Sequence, residues 1–221
     1  MERHIDTQIQ ALHQEFITMG FEVKAMLEKA LDSLKEDNKQ AASEIIDQDE
    51  VINNYETHLE KKTAQISALQ SPVAGDLREV IAILKASSDL ERLADHAVSI
   101  AKNVLTLKED RRNPAVEETI LLMGEHVLEM LTSILKAYTE MDEELAIKTA
   151  EMDSNNDGHF LDVRKKVLSL IKNEPKFISD GIDYLQIANH LERSGDYITN
   201  IAEWIVYTKK GKITELGRND F

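Results

Sequence analysis

Apolar side chains recur every three or four residues along most of the chain, a spacing that places them on one face of an α-helix. The pattern is interrupted at Pro72, Pro114 and Pro175, and at the polar or cap-bearing segments 36–38 and 141–142. Proline and cap residues are typical of the first turn of a new helix. The pattern therefore predicts six helices, over residues 4–36, 39–70, 73–108, 115–140, 142–172 and 178–209.

The chain contains an internal repeat. Residues 90–95 read Leu-Glu-Arg-Leu-Ala-Asp, and residues 191–196, 101 positions later, read Leu-Glu-Arg-Ser-Gly-Asp. Met19-Gly20 likewise returns as Met123-Gly124, and Asp49 as Asp153, at an offset of 104. A repeated segment of this length indicates repeated units of structure.

Short connections make successive helices antiparallel neighbours. We therefore predict an all-α fold of two tandem repeated three-helix bundles, with six long antiparallel helices. The first bundle spans residues 1–108 and the second residues 115–210. The charged segment 108–114 forms the hinge, and residues 211–221 form a polar, flexible tail.

Composition and charge exclude several functions. The chain has 221 residues and no cysteine, which excludes disulfides, thiolate zinc sites and iron–sulfur clusters. Its formal net charge of −15 disfavours nucleic acid and anionic lipid as direct partners. No apolar run approaches the roughly 20 residues of a membrane span, and the charged opening does not resemble a signal peptide. We expect a cytoplasmic protein without direct membrane insertion.

The candidate chemistry lies in carboxylates that are repeated with the two bundles. Each Leu-Glu-Arg motif places a Glu and an Asp four residues apart on one helix face, where two carboxylates repel each other by roughly 0.2–0.5 kcal/mol. The preceding helix of each half carries its own pair, and the first half has an additional pair, Glu56 with Glu60. If the second and third helices face each other, oxygen ligands converge from both, as hard divalent cations require. The four motif pairs are Glu91 with Asp95, Glu192 with Asp196, Asp49 with Asn53, and Asp153 with Asp157.

Simpler interpretations exist for several of these residues. A single acidic pair in a chain with 41 acidic residues is usually a solvated helix face, whereas its duplication favours a ligand set. Arg92 and Arg193 can act as partners of the acids on their own helices. His96 and His190 are not at equivalent positions, which favours ordinary polar roles. Two glycines lie next to these carboxylates, Gly158 after Asp157 and Gly195 before Asp196. We expect each to let a helix or an ion approach the carboxylates.

Catalysis has no positive support in the sequence. There is no glycine-rich phosphate loop, no His-Glu-x-x-His motif and no nucleophile elbow. None of the seven histidines has a Glu three residues before it, the spacing that the di-iron bundle enzymes use. We expect no catalytic residue and no enzymatic activity.

Two stretches resemble a known family. Residues 68–78, Ala-Leu-Gln-Ser-Pro-Val-Ala-Gly-Asp-Leu-Arg, resemble the Pro-x-x-x-Asp-Leu-Arg entry to the third helix of the PhoU family of phosphate-uptake regulators. Residues 89–101, Asp-Leu-Glu-Arg-Leu-Ala-Asp-His-Ala-Val-Ser-Ile-Ala, resemble that family's Asp-Leu-Glu-Arg-Ile-Gly-Asp-His-Ala-x-Asn-Ile-Ala signature. Residues 190–203 are similar to the second-half version, so that the resemblance covers nearly the whole chain.

The resemblance implies a function and a set of ligands. It implies a cytoplasmic protein, often a homodimer, that restrains uptake by the phosphate ABC transporter through contact with its ATPase subunit. It also implies signalling to a sensor histidine kinase. The family's (Glu/Asp)-x-x-x-Asp motifs imply multinuclear iron or zinc clusters, with other divalent metals as alternatives. Carried over to this chain, the metal ligands are Asp49, Asn53, Glu91, Asp95, Asp153, Asp157, Glu192 and Asp196.

Two departures from the family pattern distinguish the halves. Asn53 stands where the second half has Asp157, and Ser99 replaces the signature Asn that survives as Asn200. We therefore predict that the second-half cluster binds metal more tightly. Two other interpretations stay open: a metal-dependent carboxylate enzyme, either a phosphatase or an oxygen-using protein, and a metal-free helical scaffold.

Overall fold

The structure is a computed structural model that describes residues 3–217. Within these residues the chain forms α-helices, two short 3₁₀ turns and no β-strand, which confirms the predicted all-α class. The turns are Glu109–Arg111 and Pro175–Phe177. The helices are α1 (His4–Lys35), α2 (Lys39–Leu69), α3 (Ala74–Thr106), α4 (Pro114–Glu140), α5 (Glu143–Glu151), α6 (Asp153–Asn173) and α7 (Ile178–Lys210).

Helix starts follow the predicted breaks. Pro114 occupies the first turn of α4, and the Asn113 side chain accepts a hydrogen bond from the backbone N–H of Val116 at 3.1 Å. Asn38 caps α2 and Asp142 caps α5 in the same way. Each cap satisfies a backbone donor that the first turn of a helix leaves unpaired.

The predicted helix 142–172 is interrupted. A turn at Met152 divides it into the short α5 and the longer α6. The Met152 carbonyl accepts a hydrogen bond from His126 Nε2 of α4 at 3.0 Å. The same carbonyl also accepts the Asn155 N–H at 3.0 Å, so the His126 contact ties the turn to α4.

The helices pack as two bundles that share a common centre. Helices α1, α2 and α3 contact one another, and α4 and α5–α6 pack with α7. The most extensive packing joins the halves, between α3 and α7, and α1 also packs on α4. Asp89 of α3 meets Trp204 of α7, and His96 meets His190, so α3 and α7 run antiparallel.

The guanidinium group of Arg112 makes several of the contacts that hold the segment between the halves. Arg112 pairs with Asp37 at 2.7 Å and with Glu117 at 2.7 Å, and it donates to the Leu34 carbonyl. The Tyr184 hydroxyl of α7 also donates to Glu117. Arg112 therefore ties the end of α1 to the start of α4, across the predicted hinge.

The end of the chain returns to α7. Residues 211–217 contain no helix, and the Leu216 N–H donates to Glu203 at 2.8 Å. Residues 218–221 of the predicted tail lie outside the described residues, as do residues 1–2 of the predicted first bundle. In the described part of the chain, every helix is too short or too polar to cross a membrane.

Candidate functional site

The second-half carboxylates lie at a close approach of α6 to α7. Gly195 makes this approach possible, because a Cβ atom there would overlap Asp153 Oδ1 and lie 2.5 Å from Asn156 Nδ2. The expectation for Gly195 is therefore confirmed for a neighbouring helix. At Gly158 the expectation of a closely approaching helix is wrong, since a Cβ atom there would have nothing within 4 Å.

Asn156 fastens α6 to the repeated motif. This fully buried side chain donates to the backbone carbonyls of Leu191 at 3.2 Å and Glu192 at 3.4 Å. Asn156 was not predicted from the sequence. One feature of the repeat could have pointed to it: at the 104-residue offset it corresponds to Ile52, so a polar residue stands where the first half has a buried apolar one.

The four second-half carboxylates form one electrostatic unit. Burial raises the pKa of Asp153 to about 7, and repulsion from Asp157, Asp196 and Glu192 adds to the effect. Burial and then Asp196 raise the pKa of Asp157 as well. The pKa of Glu192 is raised by burial and by Asp196, and Arg193 partly offsets the increase. Repulsion across two helices is what a bound cation would relieve.

The first-half cluster is similar, with one neutral member. Asn53 Nδ2 donates to Asp49 Oδ2 at 3.2 Å on α2. Burial raises the pKa of Glu91 on α3 to about 7, with further repulsion from Asp95, Glu56 and Asp49. Glu56 therefore belongs to this cluster, although the resemblance assigned it no ligand role.

Both arginines of the repeated motif pair with acids on their own helix. Arg92 Nη1 donates to Asp95 Oδ2 at 3.1 Å, and Arg193 Nη1 donates to Asp196 Oδ2 at 3.1 Å. The interpretation of the arginines as intrahelical partners is confirmed. Identical geometry in both halves shows that the repeat extends to side-chain conformation.

The carboxylates are close enough to repel but do not converge on one point. Within residues 3–217, no group of three or more His, Cys, Asp and Glu side chains is arranged to hold a metal ion. Metal ligation by the eight predicted residues stays a prediction. One observation fits it: Asp153 Oδ1 is buried, and within residues 3–217 the neighbouring Asn156 side chain favours the charge of this carboxyl group but no cationic side chain pairs with it. A buried carboxylate oxygen without a cationic partner is a suitable ligand for a hard cation.

A second polar cluster joins the halves at the α3–α7 interface. Nδ1 atoms of His96 and His190 lie 3.1 Å apart, and burial lowers the pKa of His96 to about 4. Asp89 accepts hydrogen bonds from Trp204 Nε1 at 3.0 Å and Asn200 Nδ2 at 3.3 Å, and burial raises its pKa to about 6. These contacts were not predictable from the sequence, because they join non-equivalent positions of the two repeats.

The fold and the site together define a class of protein: a duplicated helical bundle that carries one carboxylate motif on the last long helix of each half. A family model described as PhoU domain matches residues 16–104 and again residues 120–205. The chain belongs to the PhoU family, in agreement with the resemblance of its motifs.

Individual relatives match along nearly their full length. The phosphate-specific transport system accessory protein PhoU homolog of Streptococcus pneumoniae is 38% identical over 216 residues, which cover 98% of this chain and 100% of the relative. The protein of the same name from Zymomonas mobilis is 35% identical over 207 residues, which cover 94% of this chain and 87% of the relative.

Two crystal structures have the same architecture. The phosphate transport system regulatory protein PhoU from Streptococcus pneumoniae superposes with a TM-score of 0.91 at 37% identity, over 96% of this chain and 100% of that structure. PhoU from Pseudomonas aeruginosa superposes with a TM-score of 0.90 at 26% identity, over 95% of this chain and 100% of that structure.

Proposed function

We propose that this chain is a non-enzymatic regulator that restrains phosphate uptake and phosphate-starvation signalling by protein contact. Its partners are the ATPase subunit of a phosphate ABC transporter, a sensor histidine kinase, or both, and it acts in the cytoplasm as a homodimer. The observation that carries the proposal is the full-length similarity to a protein named as a phosphate transport system regulator.

The proposal includes metal at the two carboxylate clusters. The second-half ligands are Asp153, Asp157, Glu192 and Asp196, which come from α6 and α7. The first-half ligands come from α2 and α3, and this set has one formal charge fewer because Asn53 replaces an acid. A multinuclear iron or zinc cluster, or another divalent metal, would supply positive charge among carboxylates that otherwise repel one another.

Metal would also change how the surface meets a partner. A chain of net charge −15 repels other acidic surfaces. Neutralised clusters would remove that repulsion locally and allow the bundle face to dock. A purely structural metal, bridging paired helices, is the alternative. Unchanged melting after chelation would exclude the structural role, because a ligand that binds only the folded state raises the melting temperature.

The decisive test is phosphate uptake in phosphate-replete cells that lack this gene, with and without the wild-type copy. The proposal expects elevated uptake that the wild type reverses. A variant carrying Glu192→Ala and Asp196→Ala should restore less than the wild type if the cluster is needed. Unchanged uptake in the deletion strain, in cells without a second family member, would contradict the proposal.

The two rival functions have distinct results. Hydrolysis of a generic phosphate ester that disappears with the carboxylates would establish an enzyme. Protein that contains no metal when purified, and that has no affinity for iron, zinc or manganese, would establish a metal-free scaffold.

A further inference from the structure

An open groove lies on the outer side of the second bundle, between α6 and α7. It has a volume of about 740 Å³, and its lining is half apolar (Phe160, Leu168, Ile182 and Leu185) and half polar (Arg164, Gln186, Asn189 and His190). We call it the α6–α7 groove. Leu168 and Ile182 expose 53% and 48% of their surface, so this apolar lining is accessible to solvent.

The first half shows that the fold does not require apolar side chains on the α6 wall of the groove. The α7 wall is apolar in both halves, since Ile178, Ile182 and Leu185 correspond to Leu77, Ile81 and Leu84 at the 101-residue offset. At the 104-residue offset that relates Asp49 to Asp153, Leu168 corresponds to Ala64, and Arg164 corresponds to Glu60. Phe160 and Leu161 likewise correspond to Glu56 and Thr57. Helix α2, the first-half equivalent of α6, therefore folds and packs with small, polar or acidic residues on this face. Phe160 packs partly against the core, but Leu161 and Leu168 are 48% and 53% exposed and exceed what packing needs. Such exposed apolar patches mark interaction sites.

The apolar positions have the spacing of a helix-binding surface. Ile178, Ile182 and Leu185 follow one another at intervals of four and three residues on α7, and Leu161 and Leu168 are two turns apart on α6. A third helix packs between two antiparallel helices when they present such stripes. The groove therefore fits an amphipathic helix.

The charge around the groove indicates which residues should flank the apolar stripe of the bound helix. Arg164 lines the groove and makes no ion pair or hydrogen bond with any described residue. Lys172, farther along α6, also has no such partner within residues 3–217. Residues 163–177 contain five basic residues and the single acid Glu174, in a chain with 41 acidic and 26 basic residues. Three of the five have partners, since Lys165 pairs with Asp162, Lys176 pairs with Glu174 and Lys166 donates to Thr119. Arg164 and Lys172 are therefore the two whose charge is available to a partner protein.

We infer that the α6–α7 groove binds an amphipathic helix of another protein, whose apolar stripe is flanked by Asp and Glu. Arg164 would pair with the acidic flank, and Leu168 and Ile182 would pack against the stripe. A second copy of the chain fits less well, because a symmetric dimer through this face brings the basic segments of both copies together. The inference rests on the proposed function, to which it adds the surface that a partner protein uses.

Binding in solution tests the chemistry directly. The probe is a synthetic helical peptide of about five turns, or roughly 18 residues, with a Leu stripe and Glu on both flanks. A second peptide carries Lys instead of Glu. The intact chain should bind the Glu peptide and not the Lys peptide. Leu168→Glu should weaken binding by about tenfold or more, as loss of a central apolar anchor does, whereas the matched first-half change Ala64→Glu should not.

A charge reversal sharpens the test. Arg164→Glu should weaken binding of the Glu peptide and strengthen binding of the Lys peptide, which a merely unfolded groove would not do. Failure of the chain to bind the Glu peptide overturns the inference. So does binding to phosphatidylglycerol vesicles that Leu168→Glu abolishes, or self-association in sedimentation that the same substitution abolishes.

Uptake in cells separates this inference from the proposed function. If the wild type restores restraint and Leu168→Glu does not, at equal abundance, the groove is used. If both restore it fully, the groove is not the partner surface and the regulatory function stands. If the wild type itself fails, the proposed function is wrong, and the peptide measurements alone decide what the groove binds.

Discussion

Gly124 of α4 lies directly beneath the side chain of Leu31 of α1. A Cβ atom on Gly124 would lie 2.5 Å and 2.6 Å from the two Leu31 methyl carbons. The equivalent residues make the reciprocal contact, since a Cβ atom on Gly20 would overlap a methyl carbon of Leu135. The offset of 104 relates Gly20 to Gly124 and Leu31 to Leu135. Reciprocal contacts of this kind are the mark of an approximate two-fold axis.

Substitution of Gly124 by Ala should destabilise the protein. Overpacking of a close-packed core costs roughly 1–3 kcal/mol, which exceeds the roughly 1 kcal/mol that a helix gains from Ala. Chemical denaturation of the metal-free chain measures the change. Leu31→Ala in the same chain should remove part of the penalty of Gly124→Ala, because the clash is gone.

A matched glycine provides the control. Gly158 is also helical, but a Cβ atom there would meet nothing within 4 Å. Gly158→Ala should therefore stabilise the protein by roughly 0.5–1 kcal/mol. Equal effects at the two glycines would show that helix propensity, not the α1–α4 contact, determines the outcome.

The buried carboxylate of Asp153 should make the stability of the metal-free protein fall as pH rises. Its pKa is about 7 in the folded chain and about 3.9 in an unfolded one. Folding therefore takes up a proton between these values, and the associated stability is lost from about pH 4 to about pH 7. Asp153→Asn should raise the melting temperature at pH 8, raise it less at pH 5 and change it little at pH 4.

The control for this titration is Asp47→Asn, at an exposed position of α2. This substitution should change the melting temperature little, and by about the same amount, at pH 4 and at pH 8. A gain from Asp153→Asn that is equal at pH 4 and pH 8 would contradict the assignment, because it would not depend on the charge of the carboxylate.

Arg112 should be among the least replaceable polar residues. Its side chain and that of Glu117 are only 13% and 12% exposed. Arg112→Met would leave Glu117 buried without its cation, which typically costs about 3–5 kcal/mol. Adding Glu117→Leu should recover much of the loss, since a paired charge can be replaced by apolar packing. Additive losses in the double variant, measured by urea unfolding, would argue against direct pairing.

Metal content should depend more on the second half than on the first. We expect Glu192→Ala with Asp196→Ala to remove more bound iron or zinc than Glu91→Ala with Asp95→Ala, because Asn53 already lowers the first site's charge. Elemental analysis of purified proteins measures this. The exposed acids Glu118 and Glu125 of α4, both changed to Ala, give a control with the same change in net charge. Greater loss from the first-half variant would refute the prediction.

Local pattern was enough to predict most helices, whereas contacts between distant segments were not predictable. Pro114 marks the start of α4 because proline suits a first helical turn, whatever surrounds it. The turn at Met152 has no proline or glycine, and its carbonyl is held by His126, 26 residues away. A local periodicity contains no information about such a contact.

The same distinction applies to the candidate site: its repeated motif was predictable from local pattern, and its contacts between distant segments were not. The repeated motif placed Glu91 and Glu192 on equivalent helix faces, and both lie among other carboxylates. The contact between His96 and His190 depends on how the two halves are aligned, and their positions are not equivalent in the repeat. Asn156 is a similar case, because its partners are backbone carbonyls of another helix.

The two related halves that meet at α3 and α7 belong to one chain, and this has a genetic consequence. Two subunits encoded by one gene must share every substitution, so a symmetric dimer cannot differ between its halves. Here the related units are joined by residues 108–114, and each can change alone. Two such independent changes are visible in the repeat: Asn53 corresponds to Asp157, and Ala64 corresponds to Leu168. One architecture thereby carries two unequal carboxylate clusters and two chemically different outer faces, an asymmetry that no pair of identical halves could inherit.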